Sequence, residues 1–263
     1  MISKKNIDDG KEFDWGKTSE DYRKFRDIYP ESFYDKLRQL GIGLKGQKIL
    51  DLGTGTGVLP RGLYKYGAEF IGTDISLEQI ENAKLISKEL GMNIEYYARA
   101  AENTGMPSSY FDVITACQCF LYFDKELVLP EIKRMLKKKG KFATMWMAWL
   151  PNEDRVSNMS EDIILKYNPN WNGAGYTRMK IDKNEWSKFG FILDNIVSYD
   201  ELIPFTIDSW AGRIIACRGI GASLSKELVN EFDMEHRELL KKNFTNDLKI
   251  LHHILLTTFT VES

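Results

Sequence analysis

A chain of 263 residues is long enough for one large α/β domain or for a core with a smaller cap, and 43% hydrophobic residues are ample for a buried interior. Lys+Arg 36 against Asp+Glu 38 leaves a formal net charge of -2, so there is no chain-wide basic field to hold a nucleic-acid backbone. Cys117, Cys119 and Cys217 cannot all pair, and the charge-free apolar stretch around Phe142 to Leu150 is far short of a bilayer span, so neither a disulfide scaffold nor a membrane protein is expected.

Met1 to Asp9 carries Lys4, Lys5, Asp8 and Asp9 and no apolar centre, which fits a cytoplasmic protein. Tyr22, Phe25, Arg26, Tyr29 and Pro30 then mark a short aromatic helix and a break, and Ser32 to Leu40 reads as a second helix. The plain reading of the first is an amphipathic helix with its aromatics packed inward and Arg26 in solvent.

Ile49-Leu50-Asp51-Leu52-Gly53-Thr54-Gly55-Thr56-Gly57 is an apolar run that ends in an acid and then three alternate glycines. It reads as a buried strand entering a tight turn, and apolar spacing resumes at Val58, Leu59 and Leu63 as a helix requires. Without a Cβ at Gly53 and Gly55, backbone N–H groups can approach a nucleotide-like cofactor closely. A dinucleotide loop wants a third glycine where this chain has Val58, and Asp51 would repel a pyrophosphate while suiting a cation such as an amino-acid ammonium.

Ala68 to Asp74 reads as the second strand, and Asp74 lies where a carboxylate takes both hydroxyls of a ribose. Ser76 and Gln79 give a capping pattern for a helix to Leu90. A third strand, Asn93 to Ala98, exits through Ala100-Ala101-Glu102-Asn103-Thr104-Gly105-Met106-Pro107. Phe111 to Phe123 reads as a strand and loop, with a helix starting at Asp124. Cys117 and Cys119 could share a strand face, but His236, His252 and His253 lie far along the chain, so two small buried hydrophobes are expected here and no metal.

The next predicted elements are a helix from Leu127 to Lys139 and a fifth strand from Gly140 to Trp149. Lys137-Lys138-Lys139 is then a solvated helix end whose cations suit the dipole, or else a local patch for nucleic acid. Asn152 to Ile181 breaks the α/β alternation; Ser160 caps a helix with Glu161 and Asp162 as dipole partners, and Asn168 to Tyr176 is turn-rich and aromatic. A helix near Asn184, a strand from Phe191 to Leu202, helices around Ile207 to Arg218 and Ser223 to Leu240, and a strand within Lys249 to Val261 close the chain. Trp210 and Arg213 share one helix face, where Arg213 serves an ion pair or an anionic acceptor.

The order Asp51 to Gly57, with Asp74 and the later loops, resembles the motifs of the class I S-adenosylmethionine-dependent methyltransferases over Phe13 to about Trp149. Phe13-Asp14-Trp15-Gly16, Asp21-Tyr22 to Arg26 and Tyr29-Pro30 resemble the lid of the branch with trans-aconitate methyltransferase-like proteins. The resemblance implies an α/β, Rossmann-like, doubly wound seven-stranded sheet whose last strand runs antiparallel between the fifth and sixth. It also implies an N-terminal helical lid over residues 1–45, a cofactor-binding core over 46–150, an insertion capping the acceptor over 151–182 and the remaining sheet over 183–263.

S-adenosylmethionine is the implied cofactor, held by Asp51, Gly53, Thr54, Gly55, Asp74, Ile75, Ala101, Glu102 and Gln118, with Tyr22 and Arg26 on its carboxylate. Cys117-Gln118-Cys119-Phe120 replaces the Asn/Asp-Pro-Pro-aromatic pattern of enzymes that methylate base or amide nitrogen, so a small-molecule acceptor is expected. Trp15, Tyr29, Cys119, Tyr122, Trp149, Trp171 and Arg213 are its candidate contacts. No general base announces itself, and a monomer or homodimer without nucleic-acid or membrane partners is expected. The rival readings are a nicotinamide oxidoreductase, which Val58 opposes, and a non-catalytic cofactor-binding module.

Overall fold

The structure, a computed structural model, describes residues 2–18, 24–25 and 29–261. Its seven strands are β1 (Lys48–Leu52), β2 (Glu69–Asp74), β3 (Glu95–Ala98), β4 (Phe111–Cys117), β5 (Leu136–Trp149), β6 (Phe191–Phe205) and β7 (Leu248–Val261). They form one sheet in the order β3-β2-β1-β4-β5-β7-β6, with β7 antiparallel between β5 and β6 as expected. β1 pairs parallel with both β2 and β4, so the strand order reverses at β1, and the carboxyl ends of β1 and β4 flank the crevice where α/β sheets bind ligands.

Two compact units make up the chain. The first comprises Tyr29–Met147, Met179–Tyr199 and Ile254–Ser263, and the second Met1–Ile28, Ala148–Arg178 and Asp200–His253. Residues 29–45 lie in the same unit as the glycine loop, and residues 200–253 in the same unit as residues 148–178.

In the first unit, β1 and β4 are near-continuous apolar runs because both faces are covered. Leu50, Leu52, Ile114, Ala116 and Phe142 are buried with Phe111, Phe191 and Phe259, and Trp186 stacks on Phe259 at 4.0 Å between ring centres. Around them lie helices α1 (Glu31–Gln39), α2 (Val58–Tyr64), α3 (Leu77–Glu89), α4 (Lys125–Met135) and α6 (Lys183–Ser187), while α5 (Arg155–Tyr167) belongs to the second unit. Ser76 caps α3 by accepting the Gln79 N–H, as its sequence pattern predicts, and Asp124 caps α4 through the Glu126 N–H.

The expected helix over Lys137–Lys139 is not formed. α4 ends at Met135, and β5 starts at Leu136. Between Phe111↔Leu136 and Val113↔Lys141, β4 advances two residues while β5 advances five, so the lysine run is extruded as a bulge. Asp112 holds it there: one carboxylate oxygen accepts Lys137 Nζ at 2.8 Å, and the other accepts the Lys48 N–H at 2.9 Å.

The second unit adds α7 (Ile207–Ile215) and α8 (Lys226–Asn243) to α5 around a core that includes Trp210, Ile214, Phe232 and Leu240. Here Ser160 is not the cap. Asp154 caps α5 by accepting the Ser157 N–H at 2.8 Å, so Ser160, Glu161 and Asp162 fall in the helix interior. Ser160 Oγ donates back to Val156 O at 2.8 Å and accepts Trp210 Nε1–H at 2.9 Å. Glu161 is buried instead of serving the dipole, and it accepts Trp149 Nε1–H at 2.6 Å and the Gly175 N–H at 2.7 Å. Among the described residues, no helix is long and apolar enough to cross a membrane.

Candidate functional site

The carboxyl ends of β1, β2 and β4 lie in the first unit and flank the crevice. Leaving β1, the chain makes the turn Gly53 to Gly57, pinned to β2 by a 2.9 Å bond from the Thr54 N–H to Thr73 O. Asp74 closes it: Oδ2 accepts the Gly55 N–H at 2.9 Å, and Oδ1 accepts the Ser76 N–H at 2.9 Å. A carboxylate offers about four lone-pair positions, so these backbone bonds leave part of its accepting capacity for a ligand.

What surrounds each glycine differs. A Cβ on Gly53 would lie 2.7 Å from Cys119 Sγ, and one on Gly57 would lie 2.3 Å from the Tyr96 hydroxyl. A Cβ on Gly55 would meet nothing closer than Gln79 Oε1 at 3.9 Å. Protein atoms fill the flanking positions, and the middle one has room for a Cβ.

Two carboxylates lie by the turn. Asp51 is 1% exposed and accepts the Thr115 hydroxyl at 2.6 Å. Burial pushes its pKa up to about 7, partly offset by the Thr115 and Thr54 hydroxyls and reinforced by the charge on Asp74. Burial also raises Asp74, against the pull of the backbone N–H groups of Ser76, Gly55 and Ile75. The ionised form of each acid is therefore poorly solvated, and a cation or hydroxyl donors would stabilise it. Beside them Ile75 is 63% exposed, a flat apolar surface at the rim.

The loop after β4 faces the glycine turn. Gln118 sits at φ 64 and is tied to β5 twice, by its N–H to Met145 O at 2.9 Å and by its side-chain amide to Met147 O. Cys119 Sγ donates to Leu52 O at 3.0 Å, so this side chain lies on the turn. Burial and the Asp51 charge raise its pKa well above the ordinary thiol value, which favours the neutral thiol. Cys117 Sγ donates to the Tyr29 hydroxyl at 3.2 Å, and Tyr29 stacks on Phe33 at 4.5 Å. Tyr122 lies in a short turn from Phe120 to Tyr122, half-buried.

Ala101 is 5% exposed at the start of the turn after β3, and the adjoining Glu102 accepts the Asp124 N–H at 2.9 Å, which leaves its other oxygen uncommitted. Tyr22 and Arg26 lie outside the described residues. Trp15, Trp149, Trp171 and Arg213 belong to the second unit. There Trp15 packs edge-on to Phe13, Trp149 and Trp171 are buried in the core, and the Arg213 guanidinium lies 5.1 Å above the Trp149 ring.

Three positioning residues escaped the motif reading. Tyr96, 2% exposed, packs under the turn with its hydroxyl 3.0 Å from Ser87 Oγ, in the volume left by Gly57 and Gly72. Arg61, buried in α2, donates to Thr56 O. Phe123 lies 3.3 Å from a Cβ placed on Gly53. Gly57 has φ 80, so Gly57→Ala adds left-handed strain to a collision with Tyr96 and is expected to cost roughly 2 to 4 kcal/mol. Removing the nearest atom by Tyr96→Phe recovers part of that loss in a double-mutant cycle followed by urea unfolding. Strict additivity of the two changes would refute this packing account.

A protein-family model described as a methyltransferase domain matches residues 50–144. A ubiquinone biosynthesis O-methyltransferase of Actinobacillus pleuropneumoniae is 31% identical over 112 residues, 40% of this chain and 48% of its own. That of Bartonella bacilliformis is 34% identical over 110 residues, 40% of this chain and 44% of its own. The chain thus spans about half the length of the curated relatives it matches. The solved structure of the YcgJ protein from Bacillus subtilis superposes with a TM-score of 0.56 at 20% identity, over 87% of this chain and 98% of that one, a likeness of fold. The glycine turn, Asp51 and Asp74 thus lie inside the segment, residues 50–144, that matches a methyltransferase domain, in a fold like that of the class I methyltransferases.

Proposed function

We propose that the protein moves the methyl group of S-adenosylmethionine to a small-molecule acceptor by in-line displacement. The observation that carries this reading is the turn at Gly55, where a side chain would meet no clash, with Asp74 resting on its N–H and the buried acid Asp51 at the end of the strand that leads into it. Asp74 would take the ribose hydroxyls and Asp51 the positive end of the methionine moiety. Thr54, Gly53 and Gly55 supply the close backbone, while Ile75 and Ala101 offer apolar surface to the adenine and Glu102 its free oxygen to the amine. A pyrophosphate would meet two anions here, which speaks against a nicotinamide dinucleotide.

The cofactor brings a methyl group already activated on a sulfonium, so the protein's share is alignment and exclusion of water. Gln118, fixed by its two bonds to β5, and Cys119, Tyr122 and Tyr29 form the wall that would position the acceptor. The three histidines are buried, and burial holds His236 and His252 down to about 4, so none is an accessible base. An acceptor that arrives ionised suits this site. The names of the two bacterial relatives support a small-molecule oxygen acceptor.

Calorimetric titration with S-adenosylmethionine, S-adenosylhomocysteine and NADH tests the cofactor. Micromolar binding of both adenosyl ligands and none of NADH is expected. Preference for NADH would replace the reading with the oxidoreductase, and tight adenosyl binding without turnover across a broad acceptor panel would make the protein a binding module.

A further inference from the structure

The face of the first unit opposite the glycine turn carries a second concavity, at the amino ends of β1 and β4. Its volume is about 530 Å³, and it is lined by Gly41, Lys45, Lys137, Lys138, Lys139 and Lys141 among others, with Asp112 as the one acid. We propose that it binds a compact oligophosphate anion, of the pyrophosphate or triphosphate class, independently of the cofactor site.

Five lysines around one carboxylate would repel one another unless the fold held them. Two are anchored inward: Lys137 on Asp112, and Lys141 by a 2.8 Å bond from Nζ to Leu40 O beyond the end of α1. Asp112 is itself spent on Lys137 and the Lys48 N–H, so it leaves the excess charge uncompensated. Lys45, Lys138 and Lys139 are exposed, and among the described residues none of them has an ion pair. Their ammonium groups are free to converge on a ligand.

The backbone supports the same conclusion. Lys139 is held at φ 65, a left-handed conformation that costs an L residue roughly 1 kcal/mol and suits glycine. Gly140 follows because a Cβ there would come within 2.9 Å of Lys137 O. A bulge made only to turn the chain would place glycine at the strained position, yet this one presents a cation. No aromatic side chain lines the concavity to stack a base, and lysines act as point charges without the planar fork of arginine. Both facts favour clustered phosphates over a nucleotide base or a carboxylate.

Isothermal titration with sodium triphosphate, at constant ionic strength, tests the proposal on the full chain. Saturable one-site binding is expected, at least tenfold tighter than inorganic phosphate and at least tenfold weaker in Lys138→Glu/Lys139→Glu, with S-adenosylhomocysteine affinity unchanged in the variant. Lys139→Gly, which relieves the strain, should unfold at a higher temperature and still bind triphosphate more weakly. The proposal falls if triphosphate does not saturate, if it binds no better than phosphate, or if the double variant binds it equally. Tighter binding of a single-stranded oligonucleotide than of triphosphate through the same lysines would also overturn it, making the surface one for nucleic acid.

Discussion

Asp74→Ala is expected to weaken S-adenosylhomocysteine binding by a hundredfold or more while leaving the far-ultraviolet circular dichroism unchanged. Hydrogen bonds to a charged group contribute about 1.5 to 3 kcal/mol each, so losing two ribose hydroxyls removes about 3 kcal/mol, or two factors of ten. A further loss comes from the turn, since the Gly55 and Ser76 N–H groups both rest on this carboxylate. Stability of the ligand-free protein should move little, because relief of the carboxylate's desolvation offsets the lost backbone bonds. Asp74→Asn keeps one accepting oxygen and should fall between wild type and alanine. Calorimetric affinity within threefold of wild type for the alanine variant would remove Asp74 from the cofactor site.

The strand, turn and helix from Ile49 to Leu63 were legible because the signal is local: a buried strand, alternate glycines, then helical spacing. The same holds for Ser76 as a cap and Asp74 at the end of β2. Lys137–Lys139 were misassigned because helix and bulge share a composition, and what chooses between them is register against β4 and the Asp112 carboxylate, both distant in sequence. Ser160 failed as a cap because Asp154, a strong competitor, comes first on the same helix. Ser160 and Glu161 then serve Trp210, Trp149 and Gly175, partners that no helical pattern reveals.

Tyr96 shows a different limit. Its role exists only as volume complementary to Gly57 and Gly72, and the sequence records a tyrosine and two glycines without their meeting. The chain's division into two units is equally invisible, because each is assembled from segments far apart in order. Aromatic residues after β5 suggested an acceptor wall by composition, yet Trp149 and Trp171 are accounted for by the core of the second unit.

Asp51 makes the second large effect a matter of pH. Its folded pKa of about 7 lies above the roughly 3.9 of an unfolded aspartate, so the folded state binds the proton more tightly. The stability this contributes is fully present below pH 4 and is lost as pH rises through 7, on the order of 4 kcal/mol for a gap of about 3 units. In Asp51→Asn the amide oxygen still accepts the Thr115 hydroxyl, but no charge is buried. Urea unfolding from pH 4 to pH 8 should therefore show the ligand-free wild type losing stability relative to the variant as pH rises. A parallel course for the two would show that Asp51 does not carry the effect. A cation seated at Asp51 restores the charged form, so cofactor binding at pH 6.5 should release most of one proton, roughly 0.5 to 0.8. Calorimetry in phosphate and in imidazole buffers reads that release from the difference in apparent enthalpy. Equal enthalpies for the wild type would place the methionine moiety's positive charge elsewhere, whereas a difference that disappears in Asp51→Asn assigns it to this acid.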